Sequence, residues 1–150
     1  MTASNTFEND LMLLVFNNTN AANIGDATGL RGSTTAGSFF IALHIGDPGE
    51  AGNQSTNETN YTGYARQAVA RSAAGFTVSG TNPTQIANAA NIDFPASTLG
   101  TPTITHFSIG YQVSGATAMV VSGALNTPQV INLGATPNRF AIGALVATVD

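Results

Sequence analysis

The chain has 150 residues, no cysteine and a formal net charge of −4. A domain of that length buries roughly 68–70% of its unfolded surface, so a core without staples is feasible. The missing thiols exclude a disulfide framework and a thiolate metal site, and the acidic balance disfavours nucleic acid, which needs a basic patch to replace counterions.

Charge is also sparse: 8% of residues carry one, against about 25% in ordinary soluble domains. The four basic residues are all arginines (Arg31, Arg66, Arg71 and Arg139), with no lysine. Such a surface has few rotamer-rich side chains to immobilise when a partner covers it and few charges to keep a free monomer dispersed. Burial in an assembly accounts for this; the bland polar surface of a secreted domain is the alternative. The opening MTASNTFEND lacks the basic region of a signal peptide, and LMLLVF is too short to span a bilayer. The sequons at Asn17, Asn53, Asn57 and Asn60 read as chance in a chain rich in asparagine and threonine.

In chain order, the first predicted element is a helix. Asn5 with Glu8 three residues later makes a capping-box-like start. Phe7, Leu11, Leu14 and Val15 then recur as one apolar face, and Asn17-Asn18-Thr19-Asn20 stops it. Residues 21–37 have little periodicity and suit an extended arm or loop. Strands follow. In SFFIALHI, Phe39, Ile41, Leu43 and Ile45 share a face opposite Phe40, Ala42 and His44. YARQAVAR (64–71) and FTVSG (76–80) come next, then QIANAANIDF (85–94), with Ile86, Ala90, Ile92 and Phe94 in phase. ITHFSIGY (104–111) sets Thr105, Phe107, Ile109 and Tyr111 on one face. TAMVVSGAL (117–125), PQVINLG (128–134) and RFAIGALVATV (139–149) complete the set. The last is apolar on both faces, which predicts a central or doubly covered strand. Eight short strands with turn signals between them predict a mainly β chain, an antiparallel β-sandwich of jelly-roll type with one N-terminal helix. The expected organisation is a helix and arm at 1–37 and a sandwich at 38–150, one compact domain in all.

Chemistry-bearing residues are few. His44 and His106 are far apart in sequence and lack neighbouring second ligands, so a strand histidine with a satisfied hydrogen bond is preferred over zinc. No G-x-S-x-G elbow is present. Asp47 and Glu50 are a close carboxylate pair, but both belong to one Pro-Gly turn, and the chain has no tryptophan to serve as a sugar platform. Asp47, Glu50, Asn53 and Glu58 offer oxygens for calcium without the EF-hand spacing. Asp47-Pro48-Gly49 has a direct structural use: proline sets φ, glycine accepts positive φ, and aspartate caps the turn. No catalytic residue, cofactor or metal site is expected. Tyr61, Tyr64 and Arg66 are candidates for a protein interface, being residue types favoured in hot spots; they could equally anchor the returning loop.

The order of blocks ALHIGDPGEAG, NETNYTGYARQAVARSAAGFTVSG, NAANIDFPA, THFSIGY, SGAL and RFAIGALVATVD resembles a family of small tailed-phage virion proteins. Its members are often labelled tail-fibre or structural proteins, and similar ones include capsid cement, or decoration, proteins. The helix block departs from the family's E-N-x-L-L by one residue, as E-N-D-L, and residues 20–37 are longer than the family pattern. The resemblance implies a structural virion protein, not an enzyme, without cofactor, metal, nucleic acid or membrane partner. It further implies a homotrimer assembled in the host bacterial cytoplasm. As cement it would bind the major capsid protein on the outer head surface and stabilise the shell by mass action and avidity. The alternative is a tail-fibre or receptor-binding subunit contacting the host surface.

Overall fold

A computed structural model describes residues 4–21, 32, 34–80, 83–135 and 138–149. Among them the chain is mainly β, with antiparallel sheets and one N-terminal helix, as expected for a β-sandwich. Most of the predicted arm, residues 22–31 and 33, lies outside the described residues. The chain forms two compact units: Met1–Ser38, Ala70–Asn91 and Phe140–Asp150 make the first, Phe39–Val69 and Ile92–Arg139 the second.

In the first unit, helix α1 (Asn5–Asn17) starts one residue earlier than the capping-box reading placed it. Ser4 is the cap: its Oγ accepts the Phe7 N–H at 3.3 Å and its carbonyl accepts the Glu8 N–H. A serine hydroxyl on a short side chain reaches that amide directly. The helix ends on Asn18 in the left-handed conformation (φ 56°), whose N–H satisfies the Leu13 carbonyl. The buried face is Glu8, Met12 and Phe16, and the predicted face is corrected, since Phe7 is 39% exposed. Positions 11–16 are all apolar, so their period selects no face. The packing partner selects it, and Phe16 meets the Phe76 ring edge-on at 5.3 Å. The unit's sheet has the order β3 (Phe76–Ser79), β4 (Thr84–Asn88), β9 (Val146–Val149), with Val78 opposite Ile86 and Ile86 opposite Ala147.

The predicted strand 139–149 is also corrected. Residues 141–145 form a turn between β8 (Arg139–Phe140) and β9, and β9 is an edge strand rather than a central one. Buried Asn88 builds this turn from β4. Its Nδ2 donates to the Ala141 carbonyl at 2.8 Å, its Oδ1 accepts from the Leu145 N–H at 2.9 Å, and its carbonyl accepts from the Gly143 N–H. Leu145 is buried there, whereas Ile142 is 67% exposed.

In the second unit a four-stranded sheet has the order β2 (Gln67–Ala70), β1 (Ser38–His44), β6 (Thr103–Gly110), β7 (Met119–Val130). β1 and β6 pair antiparallel from Phe40–Gly110 to His44–His106. Ile41, Ala42, Leu43, Ile104 and Ile109 are buried, so β1 is covered on both faces rather than one, while Ile45 and Tyr111 lie beyond the strands, exposed. Most of segment 117–125 and the start of 128–134 belong to one strand, β7, while residues 131–134 lie beyond it. His106 pairs with Ala124 and Ile104 with Gln129, so Leu125–Pro128 stand opposite Thr105 alone. That is a bulge, a place where a strand tolerates proline. The predicted strand 85–94 breaks after Asn88 and resumes as β5 (Ile92–Asp93), leaving Ala90 exposed.

Candidate functional site

The loop from Ile45 to Arg66 begins with the turn that its sequence predicts. The Gly49 N–H donates to Asp47 Oδ1 at 2.8 Å and Gly49 has φ +68°. The Gly52 N–H donates back to the Gly49 carbonyl at 3.1 Å. Asp47 and Glu50 are exposed, and Asn53 Oδ1 accepts the Ser55 N–H at 2.9 Å. Among the described residues, no three histidine, aspartate or glutamate side chains gather as a metal site.

The loop returns to the sheet through its side chains. Arg66 is 6% exposed and lies against Glu58 in a two-pronged pair, Nε to Oε1 and Nη2 to Oε2, each at 2.7 Å. Nη1 also donates to Gln54 Oε1 and the Gln112 carbonyl, and Nη2 donates to the Gly115 carbonyl at 2.8 Å. Every guanidinium N–H is thereby directed at an oxygen, the condition under which a buried cation is tolerated. The hydrogen bonding of Arg66 to Glu58 is the main cause raising the Arg66 pKa above its ordinary value, against the opposing effect of burial. The Tyr64 hydroxyl donates to Glu58 Oε1 at 2.9 Å and accepts the Leu43 N–H at 3.0 Å. Burial pushes the Tyr64 phenol well up, and Glu58 pushes it in the same direction. Tyr61 is buried too, its hydroxyl donating to the Pro95 carbonyl, and its ring stands edge-on to Tyr64 at 5.4 Å.

A second polar chain runs beneath the loop. His44 is fully buried, with Nδ1 2.9 Å from the Thr56 carbonyl and Nε2 2.8 Å from Ser108 Oγ. A carbonyl only accepts, so the geometry assigns the proton to Nδ1 and leaves Nε2 to accept from the serine hydroxyl. Burial lowers the His44 pKa, opposed by the Thr56 hydrogen bond and by Glu58, so the ring is held neutral. His106, its cross-strand partner, is hydrogen bonded through Nδ1 to Thr105 Oγ1 at 2.9 Å.

Gln54 joins the two chains. Its Nε2 donates to the Phe40 carbonyl at 2.9 Å and lies 3.5 Å from Ser108 Oγ. Its Oε1 accepts from both Arg66 and Thr117. The side chain lies over Gly110, where a Cβ would come within 2.2 Å of it. Gln54, Ser108 and Gly110 do not stand out in the sequence; a glycine inside a strand was the one available signal of a close approach.

Tyr61, Tyr64 and Arg66, the candidates singled out in the sequence, are therefore brought together. With Glu58, Asn60 and Val113 they line an open cavity of about 450 Å³. Their polar atoms bond to one another and to backbone carbonyls, an arrangement suited to holding a long loop in one conformation.

A family model described as podophage GP4 fiber I protein gp80 matches residues 2–148. The chain belongs to that family. It is thus a member of a phage fibre protein family, in line with the broad resemblance to phage virion proteins. The narrower resemblance to capsid cement is not carried by the match, which is to a fibre protein. No curated protein matches the chain. Among the described residues, no helix is long and apolar enough to cross a membrane.

Proposed function

We propose that the chain serves in the virion as a fibre subunit, working by assembly and surface contact rather than by bond chemistry. The observation that carries this reading is the match to a fibre family along nearly the whole chain, residues 2–148. The candidate site supports it. Its one buried cation, its carboxylate and its buried histidine bond within the chain and brace a loop, and none is presented to solvent as a poised nucleophile or base. A fibre subunit that meets the host through such loops needs them rigid before contact, because a preordered surface loses less entropy on binding.

Quantitative protein analysis of purified virions, with immunogold labelling, tests the proposal. A fibre subunit gives a few to a few dozen copies and label on the tail, and antibody against it blocks adsorption to the host. Hundreds of copies with label on the head would replace this reading with capsid cement.

A further inference from the structure

The open cavity beside Arg66 has chemistry left over once the bracing of the loop is accounted for. Two segments wall it, 58–66 and 113–115, both in the second unit. Its charges are already engaged: Glu58 holds the Arg66 fork and the Tyr64 hydroxyl, and every Arg66 N–H is directed at an oxygen. Three polar side chains in its wall stand outside that network. Thr59 is 3% exposed, and its buried Oγ1 has no hydrogen-bond partner among the described residues. Asn60 and Ser114 are exposed in the same wall. A buried hydroxyl without a partner costs stability, and in a native fold it calls for a partner from outside the chain. Val113, 61% exposed, and the half-buried ring of Tyr64 add apolar surface.

We propose that this cavity binds a neutral sugar. The ligand class follows from the groups on offer. A hydroxyl or an amide both donates and accepts, so Thr59, Asn60 and Ser114 match a ligand whose own groups do both, as sugar hydroxyls do. A phosphate or carboxylate finds no unengaged cation here, and an ammonium finds the Glu58 carboxylate already paired with Arg66. A wholly apolar ligand would bury the polar groups without partners. The C–H face of a sugar ring instead rests against Val113 and Tyr64, leaving its hydroxyls to the polar wall. At about 450 Å³ the cavity falls within the roughly 300–1,000 Å³ of small-ligand sites. The bracing around Glu58 and Arg66 fixes the wall before the ligand arrives, which limits the entropy lost on binding. The inference stands on the cavity and holds whether the chain sits on tail or head.

Saturation-transfer NMR on the full-length chain tests it, with glucose, galactose, mannose, rhamnose and N-acetylglucosamine and their disaccharides as probes. Each is used at about 10 mM, which suits millimolar affinities. At least one neutral sugar is expected to bind. Tighter binding of its disaccharide identifies the end of a glycan as the source, and equal binding a free sugar. N60A/S114A is expected to weaken binding at least about tenfold. Thr59→Val should weaken it comparably while melting no lower than the wild type, since it removes a hydroxyl that the chain itself leaves unpartnered. Far-UV circular dichroism of each variant verifies that it is folded. Binding of none of the neutral sugars overturns the inference, as does binding of glucuronate or inorganic phosphate in their place. So do folded variants that bind sugar like the wild type. Immunogold labelling decides between tail and head whatever this result, so the two readings fail separately.

Discussion

Arg66 and Arg71 lie five residues apart, and both donate to backbone carbonyls brought from elsewhere in the chain, yet they solve different problems. Arg71, in the first unit, gathers the end of α1. Its Nε donates to the Val15 carbonyl and its Nη2 donates to the Leu14 carbonyl and to Asn18 Oδ1. The last turn of α1 contains no basic residue of its own, so Arg71 supplies from outside the cation that helix C-termini favour. It is half-buried, and water can replace part of what it does. Arg66 works in the second unit, almost out of reach of water, and only with Glu58 beside it. One arginine finishes a local element that would exist without it. The other holds together segments with no local reason to meet.

The comparison predicts unequal costs. Arg66→Ala takes the two-pronged pair from Glu58, which keeps the Tyr64 hydroxyl, and the donor from the carbonyls of Gln112 and Gly115. It should lower unfolding free energy by about 3 kcal/mol, as removal of one partner from a buried ion pair does. Arg66→Lys should recover little, because one ammonium cannot copy a two-pronged fork. Urea unfolding measures both. Gly110→Ala attacks the same network from below by placing a methyl where the Gln54 amide lies, and about 2 kcal/mol of overpacking is expected. Arg71→Ala should cost less, about 1.5 kcal/mol, lost from the helix end. Equal losses for Arg66→Ala and Arg71→Ala would erase the distinction.

The smallest expected effect is a pH dependence from His44, whose pKa is lowered in the folded chain. Between that lowered value and the ordinary histidine value of about 6.5, the unfolded chain binds the proton and the folded chain does not. Stability is therefore full above about 6.5 and falls as pH drops through the window, levelling once the folded ring is also protonated. His44→Gln should flatten that slope in a series of melts between about pH 7 and pH 4.

Much of this was legible in the sequence because it was locally encoded. Asp47-Pro48-Gly49 specifies its turn with three residues, and Asn18 ends a helix in a stretch of asparagines. The alternation in SFFIALHI and ITHFSIGY marks the two central strands, although burial extends to both of their faces. What was illegible depends on a distant partner. RFAIGALVATV reads as one strand until Asn88, more than fifty residues earlier, folds its middle into a turn. TAMVVSGAL and PQVINLG read as two strands, but the pairing of Gln129 with Ile104 makes the residues at their junction a bulge. The face of α1 was misassigned because six consecutive apolar residues leave the choice to Phe76. In the site, Tyr61, Tyr64 and Arg66 could be picked out by residue type. Their keystone Gln54 could not, because a lone glutamine in a polar loop gives no sign that it will be wholly buried.

The reach of Arg66 to the carbonyls of Gln112 and Gly115, 46 and 49 residues away, also has a kinetic meaning. Contacts that close so long a stretch of chain must wait for nearer ones, because the entropy of closure is lost before the contact can repay it. A bond made after the folding barrier slows the return over that barrier without hastening the approach. Arg66 should therefore act as a latch, setting how long the folded state lasts more than how fast it is reached. For a particle that leaves the cell and cannot be repaired, that lifetime matters more than the equilibrium.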